Sequence, residues 1–154
     1  MTVTLCGSQK YTEYFYEFVD LIKEVHKENY GDPSNLAVNL CFNYPITIPD
    51  SFEFGKNDKG IEYFVQSGAI SKSFKNIDKS DVVIFCNVGG AMGASTTVEL
   101  GYAYAKGKYI ILWQEDEELV KNTMANYTAN YHIEDKPENR RAIAESIYWH
   151  LTAI

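Results

Sequence analysis

Apolar positions along this chain follow two alternating rhythms. Short, nearly continuous apolar runs rich in β-branched residues take turns with longer stretches whose apolar residues recur at three- and four-residue steps. The first kind predicts strands covered on both faces, the second amphipathic helices. Thr2 to Cys6 (TVTLC) is the first expected strand, with Gly7-Ser8-Gln9 as the turn behind it. A helix follows from Lys10 to Asn29, carrying Phe15, Phe18, Val19, Ile22 and Val25 on one face, and Tyr30-Gly31-Asp32-Pro33 breaks it. Leu36 to Phe42 is the second strand. Asn43 to Gly60 loses the rhythm and carries Pro45, Pro49, Gly55 and Gly60, as a surface excursion or a binding loop does.

The pattern resumes with a helix from Ile61 to Ile77, with Gly68 as the weak point in its middle, and a strand over Asp81 to Cys86 (DVVIFC). Asn87 to Ser95 (NVGGAMGAS) is a glycine-rich loop. Thr96 opens another helix, with Val98, Leu100, Ala103 and Tyr104 among its apolar positions, and Gly107 is placed to end it. Tyr109 to Trp113 is the fourth strand. An acidic stretch from Glu115 to Glu118 starts a short helix through Met124, and Tyr131 to Ile133 is a short fifth strand. Pro137 to Leu151 closes the chain as a helix with Ile143, Ile147 and Leu151 inward. Strand and helix in alternation predict an α/β fold: a flavodoxin-like (Rossmann-like) three-layer sandwich on a five-stranded parallel sheet, order 2-1-3-4-5, in a single domain over 1–154.

Composition narrows the partners. The chain is 45% hydrophobic, yet no apolar run approaches the length of a membrane span, so none is expected. A formal charge of −7 argues against a nucleic-acid polymer, which calls for clustered Lys and Arg. The opening MTVTLCGSQ runs straight into a strand without the layout of a signal peptide. Cys6, Cys41 and Cys86 are odd in number and lack metal-ligand spacing, which favours a reduced cytoplasm. Cys6 and Cys86 fall on neighbouring strands in this order, either as a redox pair or, more simply, as small buried residues. His26, His132 and His150 share no spacing, so neither a metal nor a cofactor is expected. Twelve tyrosines exceed the ordinary need of a core, and some suit a planar ligand or an oligomer partner.

In such sheets ligands bind beyond the carboxyl ends of the strands, at the point where the strand order reverses. That places Gly7, Ser8 and Gln9 beside Asn87, Gly89, Gly90 and Gly93, with Ser95 and Thr96 at a helix N-terminus suited to phosphate or carboxylate. Glu99 is the only carboxylate between Asp81 and Glu115 and is the leading catalytic candidate. Its plain reading is a capping box, Thr96-Thr-Val-Glu99, in which it bonds the Thr96 amide. The loop is neither a phosphate-binding loop of the Gly-Lys-Ser/Thr kind nor the G-x-G-x-x-G dinucleotide fingerprint, and it also serves as a tight turn that needs glycine.

Ile77-Asp-Lys-Ser-Asp-Val-Val-Ile84, the glycine loop, Thr96-Thr-Val-Glu-Leu-Gly-Tyr-Ala103 and Gly107-Lys108 together resemble the nucleoside 2-deoxyribosyltransferase superfamily. The form Asn-x-Gly-Gly-x-x-Gly-x-Ser-Thr-x-x-Glu is most similar to its uncharacterised relatives, and the match covers about Ile70 to Trp113. The resemblance implies an N-glycosidic-bond enzyme, either a deoxyribosyltransferase or a nucleoside or nucleotide N-glycosidase. Glu99 would attack the sugar C1′ and form a glycosyl ester that another base or water releases. It also implies a nucleoside or nucleotide as small-molecule partner, with a 5′-hydroxyl or 5′-phosphate held near Gly89 to Thr96. Tyr44, Phe52 or Phe54 would stack on the base, and the protein would be a homo-oligomer, at least a dimer. Two positions depart from the pattern. The transferases' aspartate is Gly93 here, and the monophosphate hydrolases' aspartate falls near Ser73. The partner that would protonate the leaving base is then either missing or supplied from elsewhere, by Asp50, Glu53 or another subunit. Two alternatives remain at this level: a non-catalytic nucleotide-binding or sensor protein on the same fold, and a phosphoribohydrolase of the cytokinin-releasing type.

Overall fold

A computed structural model describes residues 1–8, 11–31, 40–45, 52–53, 55–90, 92–115 and 123–154. Its elements are β1 (Thr2–Gly7), α1 (Thr12–Tyr30), β2 (Cys41–Asn43), α2 (Lys59–Lys79), β3 (Val82–Asn87), α3 (Ala94–Ala105), β4 (Tyr109–Gln114), α4 (Thr123–Thr128), β5 (Tyr131–Glu134) and α5 (Arg140–Ala153). The strands form one parallel sheet in the order β2-β1-β3-β4-β5. This is the flavodoxin-like order expected from the sequence.

Period-two alternation of side chains divides each strand between two cores. Val3, Leu5, Val82, Ile84, Cys86, Ile111, Trp113 and Ile133 point to the layer made by α1 and α5. Cys6, Val83, Phe85, Ile110 and Leu112 point to the opposite layer, where Ile77, Leu100, Ala103 and Ala125 meet them. The α1 stripe is as the sequence pattern predicts, with Phe15, Phe18, Val19, Ile22, Val25 and His26 buried. Ile143, Ala144, Ile147, Tyr148 and Leu151 of α5 complete that layer, and His26 Nδ1 lies 2.8 Å from Tyr148 Oη inside it. Each fully buried Phe, Ile or Leu there stabilises the fold by about 1.5–3 kcal/mol.

Several boundaries differ from the sequence pattern. Helix α2 is continuous through Gly68, as the pattern predicts, but starts two residues earlier, at Lys59, where Asp58 caps it with its carboxylate accepting from the Gly60 amide at 2.8 Å. Helix α3 starts at Ala94, two residues before Thr96. Pro137 lies in a single 3-10 turn, Pro137–Asn139, and α5 begins behind it with Asn139 accepting from the Ala142 amide at 3.1 Å. The amino-terminal part of the expected second strand (36–39) and most of the acidic helix (116–122) fall outside the described residues. Cys6 and Cys86 are buried on opposite faces of the sheet and both are free, so they form no pair.

Candidate functional site

At the carboxyl end of β1 a cleft of about 400 Å³ opens between three elements. Strand β1 and the residue after it supply Thr4, Leu5, Cys6, Gly7 and Ser8. Helix α2 contributes Ala69, Ile70, Ser73 and Asn76, and the start of α3 contributes Gly93, Ala94, Ser95, Thr96 and Glu99. Tyr44 and Pro45, beyond β2, close one side. Gly7 is required by close approach: a Cβ there would lie 3.0 Å from Phe15 Cζ and 3.2 Å from the Cys86 carbonyl oxygen.

Glu99 stands in the second turn of α3, because the helix begins at Ala94. From there its carboxylate does not close a capping box. Ser73 Oγ donates to Glu99 Oε1 from α2. Burial pushes the Glu99 carboxyl above its ordinary range, while hydrogen bonds from Ser73 and Cys6 pull it partly back. Burial, reinforced by the nearby Glu99 charge, holds the Cys6 thiol well above its usual value, so Cys6 is a neutral donor to the carboxylate. No side chain caps α3 at Gly93, and Ala94, Ser95 and Thr96 line the cleft at the positive end of the helix dipole.

A polar seam holds the floor in register. Thr4 Oγ1 lies 2.5 Å from Ser80 Oγ, Ser80 Oγ donates to the Asn76 carbonyl at 2.7 Å, and Asn43 Nδ2 donates to Thr4 Oγ1 at 3.2 Å. The seam fixes α2 against β1 and β2, and thereby Ser73 against Glu99. Tyr44 packs on Tyr16 with ring centroids 4.6 Å apart, and burial raises its hydroxyl pKa, with Asp20 and Tyr16 adding to the shift.

The structure therefore gathers Gly7, Ser8, Gly93, Ser95, Thr96 and Glu99 around one cleft. Asn87 and Gly89 lie elsewhere. Asn87 is buried and donates to Gln114 Oε1 at 3.2 Å, and Gln114 in turn donates to Asn126 Oδ1 at 2.6 Å. Gly89 sits with Gly90 in the turn Val88–Gly90 at φ 75°, and its amide donates to Glu115 Oε1 at 3.2 Å. A Cβ at Gly89 would fall 2.5 Å from Tyr11 Oη, so glycine is needed there for the fold. Gln9, Asp50 and Phe54 lie outside the described residues. Glu53 is exposed and pairs with Lys56 at 2.7 Å.

Thr4, Cys6, Ser73 and Asn76 are polar or titratable cleft residues that the sequence reading does not select for the site. Ala69, Ser73 and Asn76 stand at helical spacing along α2, with Ser80 just past its end, and that small and polar stripe is the available signal. Among the described residues, no group of His, Cys, Asp and Glu is arranged to hold a metal ion. No helix among the described residues is long and apolar enough to cross a membrane.

A parallel sheet of order 2-1-3-4-5 defines the class, a flavodoxin-like α/β protein, and its carboxylate-bearing cleft lies where the strand order reverses, the place at which such sheets bind ligands. The model of the nucleoside 2-deoxyribosyltransferase family matches residues 5–140, and the chain belongs to that family. Among solved structures, the CMP N-glycosidase of Clostridium botulinum is similar with TM-score 0.57 at 14% identity, over 96% of this chain and 98% of that one. A conserved protein of Enterococcus faecalis V583 is similar with TM-score 0.55 at 16% identity, over 97% and 98%. A 2-deoxyribosyltransferase of Bacillus psychrosaccharolyticus is similar with TM-score 0.57 at 16% identity, over 88% and 87%. At such identities these likenesses speak for the fold. No curated protein matches the chain.

Proposed function

We propose that this protein breaks N-glycosidic bonds of a nucleoside or nucleotide, with Glu99 as nucleophile at C1′. The observation that carries the reading is a half-buried carboxylate on α3, fixed by Ser73 and facing the cleft at the carboxyl end of β1. Attack by Glu99 splits one difficult displacement into two, and its charge stabilises the flattened sugar cation on either side of the ester. The α3 amides, with Ser8, Ser95 and Thr96, receive the 5′-hydroxyl or 5′-phosphate, and Tyr44 offers a face to the base. Family membership supports the reaction class, and the neighbours described as a CMP N-glycosidase and a 2-deoxyribosyltransferase point the same way.

The direct experiment incubates wild-type protein and Glu99→Gln with nucleosides, nucleoside monophosphates and nicotinamide nucleotides, and measures free base. Release by the wild type and none by the variant is the expected result. Release by Glu99→Gln at the wild-type rate would remove the nucleophile assignment. The second reading, a nucleotide-binding module without catalysis, draws on the single carboxylate among the described cleft residues. It requires thermal stabilisation by a ligand with no base released.

We further propose a homo-oligomer in which a second copy covers the outer face of α2. Tyr63, Phe64 and Ile70 are 73%, 77% and 51% exposed on α2, and Tyr63 and Ile70 line a groove of about 530 Å³. Ile70 lines both that groove and the cleft, so a partner seated on α2 would stand at the edge of the site. A monomer by light scattering at micromolar concentration would contradict the assembly.

A further inference from the structure

We propose that the substrate of the Glu99 cleft is a cationic N-glycoside, of the pyridinium ribosyl class, whose base departs without taking a proton from the protein. The inference rests on the N-glycosidase reading and deepens it by naming the leaving group.

Two features of the cleft carry it. The first is the nature of its proton donors. A neutral purine or pyrimidine leaves as an anion unless an acid protonates it, and a general acid works best with a pKa near the working pH. Among the described residues of the cleft, the groups that titrate besides Glu99 are Cys6 and Tyr44. Both are poor acids at neutral pH, because burial raises each of them. The rest of its polar lining is alcohol and amide: Thr4, Ser8, Ser73, Asn76, Ser95 and Thr96. Glu99 itself cannot serve as the acid while it attacks C1′.

The second feature is charge. The Glu99 carboxylate is partly desolvated, and what offsets its burial is a hydroxyl and a thiol, with no cation contributing. Among the described residues no Lys, Arg or His lines the cleft. A carboxylate in such a setting lacks a counter-charge, and a positively charged ring beside it supplies one. The same cation is discharged when the bond breaks, so the reaction and the electrostatics favour the same ligand.

The step balances without another acid. A Glu99 carboxylate oxygen forms a bond to C1′ as the bond from C1′ to the ring nitrogen breaks. The bonding pair returns to that nitrogen, and the pyridinium leaves as a neutral pyridine. Water then attacks C1′, the ester oxygen–C1′ bond breaks with its pair returning to Glu99, and the proton of the water passes to solvent. The products are the free sugar or sugar phosphate, the neutral base and one proton.

The test compares kcat/KM by base release for two sets of compounds. Nicotinamide riboside, nicotinamide mononucleotide and NAD+ form the cationic set. Cytidine, adenosine, their monophosphates and their 2′-deoxy forms are the neutral set. A general acid is worth about 10²–10⁴-fold, so at least one cationic compound should exceed every neutral one by roughly 100-fold or more. Its pH profile should rise as Glu99 ionises and stay level on the alkaline side, because no protonated acid is needed. A neutral compound turned over as fast as the best cationic one, or a falling alkaline limb with a pyridinium substrate, overturns the leaving-group inference and leaves the glycosidase reading standing. Base released from no compound of either set overturns both.

Discussion

The two faces of the sheet are built to different standards. On one, α1 spends six of its nineteen residues on burial and locks against α5, with Trp113 beneath them. On the other, α2 is longer, at twenty-one residues, and buries only Ile77. Tyr63, Phe64 and Ile70 are exposed, Phe74 packs partly buried against Tyr102, and the residues Ala69, Ser73 and Asn76 toward the cleft are small or polar. The first face is made by volume and hydrocarbon, the second by hydrogen bonds around an opening. The cleft with Glu99 lies on the looser face, where the packing leaves an opening beside a carboxylate that a filled layer would close. In the proposed reading, stability and chemistry fall on opposite sides of one sheet.

The sharpest way to break this comparison is Glu99→Gln. It should abolish base release while the fold survives. Its effect on stability has a definite sign. Burial raises the folded-state pKa of Glu99, so the stability Glu99 contributes is fully present below the unfolded value of about 4 and is lost as pH rises through the folded one. At neutral pH the variant should therefore be at least as stable as the wild type, with the difference shrinking toward pH 4 in chemical denaturation. A marked loss of stability at pH 7 would mean that Glu99 is structural.

Next in size is Trp113→Ala on the packed face. Its indole is buried against Phe18 at 5.4 Å between centroids, and Nε1 donates to Asp135 Oδ1 at 2.9 Å. Truncation should cost about 3–5 kcal/mol by denaturant titration, since a large cavity and a broken buried bond are created together. Ser73→Ala asks the converse question of the open face. Loss of a hydrogen bond to a charged group costs about 1.5–3 kcal/mol, so kcat/KM should fall about 10- to 100-fold. Because Ser73 lowers the Glu99 pKa, the acid limb of the pH profile should move to higher pH, and Ser73→Thr should restore both. An unshifted limb would show that Ser73 acts only in packing. The smallest expected change is Phe64→Ser, which should leave protomer stability within about 0.5 kcal/mol. It should also shift the assembly toward monomer in light scattering. An unchanged oligomer would move the interface elsewhere.

How far the sequence alone led follows from the same division. Regular burial leaves a regular mark: the Phe15–Val25 stripe, the DVVIFC and YIILW runs and the Ile143–Leu151 steps all predicted their elements and the strand order. The open face left weaker marks. Helix α2 carries several exposed apolar residues, so its hydrophobic pattern hid the Ala69–Ser73–Asn76 stripe that lines the site. The loop glycines look alike in sequence, yet Gly93 borders the cleft while Gly89 serves a turn against Tyr11 and Glu115. That distinction depends on where α3 begins, and a two-residue shift in its start moved Glu99 from a capping position to one facing Ser73. Cys6 was invisible as a cleft residue for a related reason, since strand parity alone decides whether it faces Cys86 or Glu99.

The most direct test of the account is a covalent trap. Wild-type protein turning over its best substrate from the base-release panel is quenched in acid and digested, and the peptide that spans α3 is weighed. The account predicts a sugar or sugar-phosphate adduct in ester linkage on Glu99, absent from Glu99→Gln. Sustained base release with Glu99 unmodified, or with the adduct on another residue, would contradict it.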